Sequence, residues 1–522
     1  MMKRKAKGLI CIAILGSMLA GCGNKEVSTT ASDMKSGDVE LTYCVNSSNA
    51  SAGVTHDPAV DYTGSRSLFR GTCETLFVLD DDTKEVKGFL CSDWKQTDDT
   101  TWTFTIREGI TFTNGNPLDA EACRAALDYI FTNNTRLGTL ADVSSMEADG
   151  QVLTVHTNKI CAILPRILSD SNAIIFDTTA SEDYSKGLVG TGPYILDSVD
   201  AEGNCELSRN ENYWQGMPAA SKVHTKADLS ADAVTLAMQS GELDWASVSD
   251  SDLKLFEGND DYVISEYNGR RVYYLYVNPN YTFTQDPALR EALTYAFNRQ
   301  EIVDGVYAGH GSTTRSIFTE DSQFYTEEYL QPDFDQNKAK ELLTAAGYTD
   351  TDGDGFVEKN GEPVKLNITY YDKNGFKTLS EVIQSQLKAI GIDSEITVTD
   401  SIADTLMNGE YNLGTYGYNT ETLGDCYNYL QPVFGTGATS NFTKFSNENV
   451  DRLLDELTVT ADEEQRAKIA QEMQQYLYTE NDHIYLMHVL NYQVAKKEVR
   501  NLTAQFGSDQ GDASILWKIT KE

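Results

Sequence analysis

The stretch TDTDGDGFVEKNGE, residues 349–362, places carboxylates at Asp350, Asp352 and Asp354, a glycine at Gly355 and a further carboxylate at Glu358. Alternating aspartates before a glycine are how a calcium loop begins, because a hard cation takes oxygen ligands at alternate loop positions and a bidentate glutamate at position 12. Counted from Asp350, the Phe356 carbonyl falls at position 7 and Glu358 at 9, but position 12 is Gly361, with Glu362 one residue late. Two readings stand: a structural calcium, or an Asp/Gly-rich turn between a helix and a strand. Other reactive constellations are missing. The histidines (His56, His156, His224, His310, His483 and His488) are dispersed, and His483 and His488 would sit on opposite faces of a strand. There is no HExxH, GxSxG or Gly-rich phosphate loop. Carboxylates are too abundant for counting to exclude a glycosidase pair, but no nucleophile is set up, and the chain is read as a non-enzyme that requires no cofactor.

The first residues place the chain. Lys3, Arg4, Lys5 and Lys7 precede a short apolar run, residues 9–20, too short to span a bilayer and reading as a secretory signal. It ends in Leu19-Ala20-Gly21-Cys22, which resembles the lipobox of bacterial lipoproteins. That resemblance implies cleavage before Cys22, acylation of its thiol and anchoring on the extracytoplasmic membrane face by acyl chains such as palmitate, each buried CH₂ contributing about 0.8 kcal/mol. Residues 22–38 then read as a flexible tether. Removing residues 1–21 takes away four positive charges and moves the net charge from −37 to −41, which argues against nucleic acid as a partner. The roughly 485 residues that follow exceed one domain and suggest two or three. Seven cysteines outside the signal and lipobox (Cys44, Cys73, Cys91, Cys123, Cys161, Cys205 and Cys426) are odd in number and scattered. They read mostly as buried free thiols, with one or two disulfides left open.

The elements that must position any site alternate between strand and helix. Residues 102–107 (WTFTIR) alternate as a strand does, and Asp119 can cap a helix from Ala120 to about Phe131. Asp286-Pro287 opens a helix carrying Leu289, Ala292, Leu293, Ala296 and Phe297 on one face. Asp335 opens another, with Ala339, Leu342, Leu343 and Ala346 in register and Gly347 as its left-handed stop. A third runs through Ile383, Leu387 and Ile390 to Gly391 before a strand over 392–398, and a last one carries Ile469, Met473, Tyr476 and Leu477. This order predicts mixed α/β lobes.

Residues 94–120 (WKQTDDTTWTFTIREGITFTNGNPLDA) resemble the signature of family 5 extracellular solute-binding proteins, the peptide- and nickel-binding components of ABC importers. GTGPY at 190–194, NENYWQGMP at 210–218, SGELDWAS at 240–247, LREALTYAFNRQEIVDGVYAGHG at 289–311, LLTAAGY at 342–348 and SQLKAIGI at 385–392 follow in the family's order. The resemblance implies a bilobal periplasmic-binding-protein-like fold (type II, cluster C). Its expected layout is a first lobe over 39–270 with an extra subdomain at about 69–188, a second lobe over 271–485, and a return to the first lobe over 486–522. Chain crossings are expected near 267–277 and 485–494. A monomer is expected to capture a peptide or other small ligand between the lobes and pass it to ABC transporter permease subunits. A signalling receptor or a secreted hydrolase is the remote alternative.

The resemblance also points to the segment YGYNTETLGDCYNYLQPVF, residues 416–434, as pocket wall. Peptide-binding members tend to carry an aspartate there for the peptide ammonium. Here that position falls near Asn419, which forms no charge-assisted bond, and Asp425 is the substitute candidate. Tyr416, Tyr418, Tyr427 and Asn428 are the remaining candidates from this stretch, tyrosine supplying apolar area with one polar end. Nickel-type members hold a metal chelate with histidine and arginine. The expected histidine neighbourhood, GTGATSNF at 435–442, has none, whereas Arg136 lies near the family's pocket arginine and is a candidate for a carboxylate or chelator. Short peptides are the first reading, a nickel-type metal chelate or small organic anion the second. Gly190, Gly192, Pro193, Tyr213 and Trp214 are read as structural, and Arg290 as half of a buried ion pair.

Overall fold

A computed structural model describes residues 39–45, 55–60, 63–81, 83–248, 250–506 and 511–522. The signal expected at 1–21, the lipidation site Cys22 and the tether at 22–38 lie outside these residues. Helix starts follow their caps. The Asp119 side chain accepts from Ala122 N at the start of helix Ala120–Asn133, Asp286 accepts from Ala288 N ahead of Pro287–Thr294, and Asp335 accepts from Lys338 N ahead of Gln336–Ala345. Each such cap is worth about 1 kcal/mol. Gly347 and Gly391, at φ +84° and +83°, stop the helices before them in a conformation that β-carbon-bearing residues avoid.

Two strands organise the molecule. Tyr262–Val277 and His483–Lys496 pair antiparallel from Tyr262↔Lys496 to Tyr276↔His483, with a register shift between Asn268 and Val272. The stretches 267–277 and 485–494 fall inside them. They form the middle of an eleven-stranded sheet. On one side lie Trp245–Ser247, Glu40–Val45, Lys222–Ala227, Cys205–Arg209 and Tyr194–Val199; on the other lie Leu413–Asn419, Lys365–Tyr370 and Asp393–Val398. Register fixes directions. Ser247 ends its strand opposite Gln493, and Asn419 ends its strand opposite Arg271, beside the Val272↔His488 pair. Strands of both lobes therefore run their carboxyl ends toward the same stretch of the two-stranded ribbon.

A separate four-stranded antiparallel sheet, in the order Cys91–Asp98, Thr101–Ile106, Val152–Thr157, Val143–Asp149, forms the extra subdomain. Helix Ala120–Asn133 lays Cys123, Ala126, Leu127 and Ile130 into its core, and Leu423 from the second lobe joins that core. Arg290 is buried and donates to Glu480 and to the carbonyls of Glu480, Thr284 and Gln285. Among the described residues all seven cysteines are free thiols, five of them buried.

Candidate functional site

In α/β sheets ligands bind outside the carboxyl ends of the strands, and here two sets of such ends converge. On the first-lobe side Tyr43 stacks on Trp245 at 4.4 Å, with Phe506 edge-on to both. All three are buried in one hydrophobic core, where they line a cavity of about 150 Å³. On the second-lobe side Tyr416 and Tyr418 share one face of Leu413–Asn419. Tyr416 packs against Tyr274, Tyr276 and Phe442, and Tyr418 against the buried Tyr429. Both stay half-buried, and Asn419 at the strand's end is exposed.

The chain beyond Asn419 is held by ion pairs. Thr420 N donates to Arg270 O at 2.8 Å, and Glu421 lies 3.7 Å from the Arg270 guanidinium, both buried. Asp425 is fully buried and accepts two bonds from Arg466, at 2.7 and 2.8 Å. Burial alone would raise its pKa, but the Arg466 charge and hydrogen bonds bring it below the usual carboxylate value. The candidate anchor for a peptide ammonium therefore has both carboxylate oxygens engaged by Arg466 inside the lobe. Arg136 is likewise engaged, its guanidinium forking onto Asp170 at 2.7 and 2.9 Å. Tyr427 and Asn428, half-buried, line a groove of about 490 Å³ whose opposite wall is Leu140, Cys161 and Ile163 of the extra subdomain.

Sequence reasoning missed what joins the lobes here. Arg166, on the extra subdomain, is 3 % exposed; its Nη1 donates to the carbonyls of Lys84 and Leu423, and its Nη2 to Glu463 at 2.8 Å. Gly424 lets this guanidinium approach, because a β-carbon there would stand 2.5 Å from Arg166 Nη1. No local pattern announces such a contact. In the acidic loop, oxygens of Asp350, Asp352, Asp354 and Glu358 all lie within 4.8 Å of one another. The loop is bounded by the paired short strands Tyr348–Thr349 and Glu358–Lys359.

The family model for bacterial extracellular solute-binding proteins, family 5 Middle, matches residues 85–441. The nickel-binding protein NikA of Staphylococcus aureus is 26 % identical over 437 residues, 83 % of this chain and 86 % of that protein. The oligopeptide-binding protein AppA of Bacillus subtilis is 24 % identical over 546 aligned positions, 94 % and 95 % of the two chains. Among solved structures, a nickel ABC transporter protein from Bacillus halodurans superposes with a TM-score of 0.82 at 26 % identity, covering 92 % of this chain and 99 % of that one.

Proposed function

The chain belongs to the family 5 bacterial extracellular solute-binding proteins, the substrate-binding components of ABC importers, and on that premise we propose that its cargo is a short peptide held between the two lobes. The observation that carries this reading is the composition of the second-lobe face: Tyr416, Tyr418, Asn419, Tyr427 and Asn428 offer aromatic area and neutral amides, while Arg136 and Asp425 are engaged internally. Such a face suits a ligand read through backbone hydrogen bonds and stacking. A ligand touching both lobes stabilises the closed state by its differential affinity for it.

The likeness to proteins named for nickel supports a second reading, a nickel chelate. Calorimetry with di- to pentapeptides, and separately with nickel–histidine, distinguishes the two: heat with peptides is expected, and heat with the chelate alone would sink the peptide reading. Mass spectrometry of whatever co-purifies with the native protein identifies the cargo directly.

Our reading of the layout assigns 39–270 and 486–522 to the first lobe and 271–485 to the second, in a monomer held on the membrane through lipidated Cys22. No helix among the described residues is long and apolar enough to cross a membrane. The acidic loop is proposed to hold a structural calcium between Asp350, Asp352, Asp354 and Glu358, with the Phe356 carbonyl as a further ligand. Mutual repulsion of four close carboxylates supports it. Calcium should raise the melting temperature, chelator should lower it, and ligand affinity should not change; a melting temperature indifferent to both would remove the proposal.

A further inference from the structure

A cavity of about 670 Å³ lies in the second lobe against the two crossing strands, lined by Arg299, Arg315, Ser312, Thr313, Thr319 and His488 among others, and by none of the site residues described above. Arg299 opens helix Arg299–Val306 and is 6 % exposed. Its Nε donates to Tyr485 O at 2.7 Å and its Nη1 to Pro332 O at 3.3 Å, while the buried Nη2 has no partner. Arg315 donates to Gln331 O at 3.2 Å and meets only the Asp333 carboxylate, at 3.1 Å, whose side chain is 86 % exposed.

Two guanidinium groups are thus tethered by backbone carbonyls, and the carboxylate paired with Arg315 is solvated and weakly held. In a chain of net charge −37 the two guanidinium groups share this cavity with two exposed carboxylates, Asp333 and Glu320, whose charges solvent screens. Burial, with the neighbouring Arg315 charge, pushes the Arg299 pKa down to about 10, so it stays protonated at neutral pH. The exposed hydroxyls of Ser312 and Thr313 add donors. Burial holds the His488 imidazole neutral, its pKa down to about 4.

We propose that this cavity binds a small oxyanion, a carboxylate or a phosphate, between Arg299 and Arg315, displacing Asp333 from Arg315. Asn268 and His488 belong to the crossing strands near their register shift, so the bound anion touches the region that must flex when the lobes move. The site stands independently of the cargo reading, because it shares no residue with the interlobe face.

The test is a thermal-shift and calorimetric titration of the full-length protein with inorganic phosphate and with succinate, each against chloride at equal ionic strength. A saturable rise in melting temperature is expected with at least one of them, and the active arm identifies the anion class. Arg315→Gln should weaken binding about tenfold or more. Asp333→Asn, at an exposed position that folding tolerates, should tighten it by removing the competing carboxylate. No saturable response to either anion, or an affinity unchanged in Asp333→Asn, overturns the proposal.

Discussion

Glu74 shows how one buried side chain ties stability to pH. It accepts from Tyr213 Oη at 2.6 Å, Thr191 Oγ1 at 2.7 Å and Trp214 Nε1 at 3.0 Å, yet burial outweighs these donors and pushes its pKa from 4.5 up to about 7. The folded carboxyl holds its proton more tightly than the unfolded one. Its contribution is therefore fully present below about pH 4.5 and is lost as pH rises through about 7. Denaturant titrations on either side of this window should show stability falling as pH rises, and Glu74→Gln should flatten that slope; equal slopes would refute the assignment. Arg136 gives a second prediction at this scale. Arg136→Ala leaves Asp170, whose side chain is 8 % exposed, with only the Asn172 N–H as donor among the described residues, and should cost about 1–3 kcal/mol in urea unfolding while leaving peptide and chelate affinities unchanged. A loss of affinity at unchanged stability would return Arg136 to the pocket.

At the scale of elements, the segment after strand Leu413–Asn419 works as a latch between lobes. Arg166 reaches from the extra subdomain to the Leu423 carbonyl and Glu463, and Leu423 packs into the extra subdomain's core. Removing the guanidinium leaves a buried carbonyl without its donor and should destabilise the closed arrangement by about 1–3 kcal/mol. Arg166→Ala should therefore release ligand roughly tenfold faster and enlarge the radius of gyration in solution scattering. Gly424→Ala, at φ +66° and with its new β-carbon 2.5 Å from Arg166 Nη1, should act the same way without removing a charge. Glu463→Gln should do less, since that carboxylate is one-third exposed. An unchanged off-rate and radius in both Arg166→Ala and Gly424→Ala would dismiss the latch.

At the scale of the whole molecule, a net charge of −37 repels itself in the compact state, so moderate salt should raise the melting temperature before any specific ion effect; a flat response across sodium chloride concentrations would show the charge to be locally compensated. What could be read from the amino-acid order was whatever acts within a few residues. Asp119, Asp286 and Asp335 cap the helices they precede, Gly347 and Gly391 stop them, and the alternation in residues 102–107 makes a strand, because caps, φ preferences and side-chain periodicity are local. The family motifs made the bilobal α/β fold legible by resemblance, which no local rule dictates. Tertiary structure alone decided which charged candidates have a partner within the chain. Asp425 met Arg466, 41 residues away; Arg136 met Asp170, 34 away; Arg166 met Glu463, 297 away. Ionised groups brought out of water must find partners, and chain folding, which spacing along the sequence does not encode, determines whether that partner is a neighbouring lobe or an incoming solute.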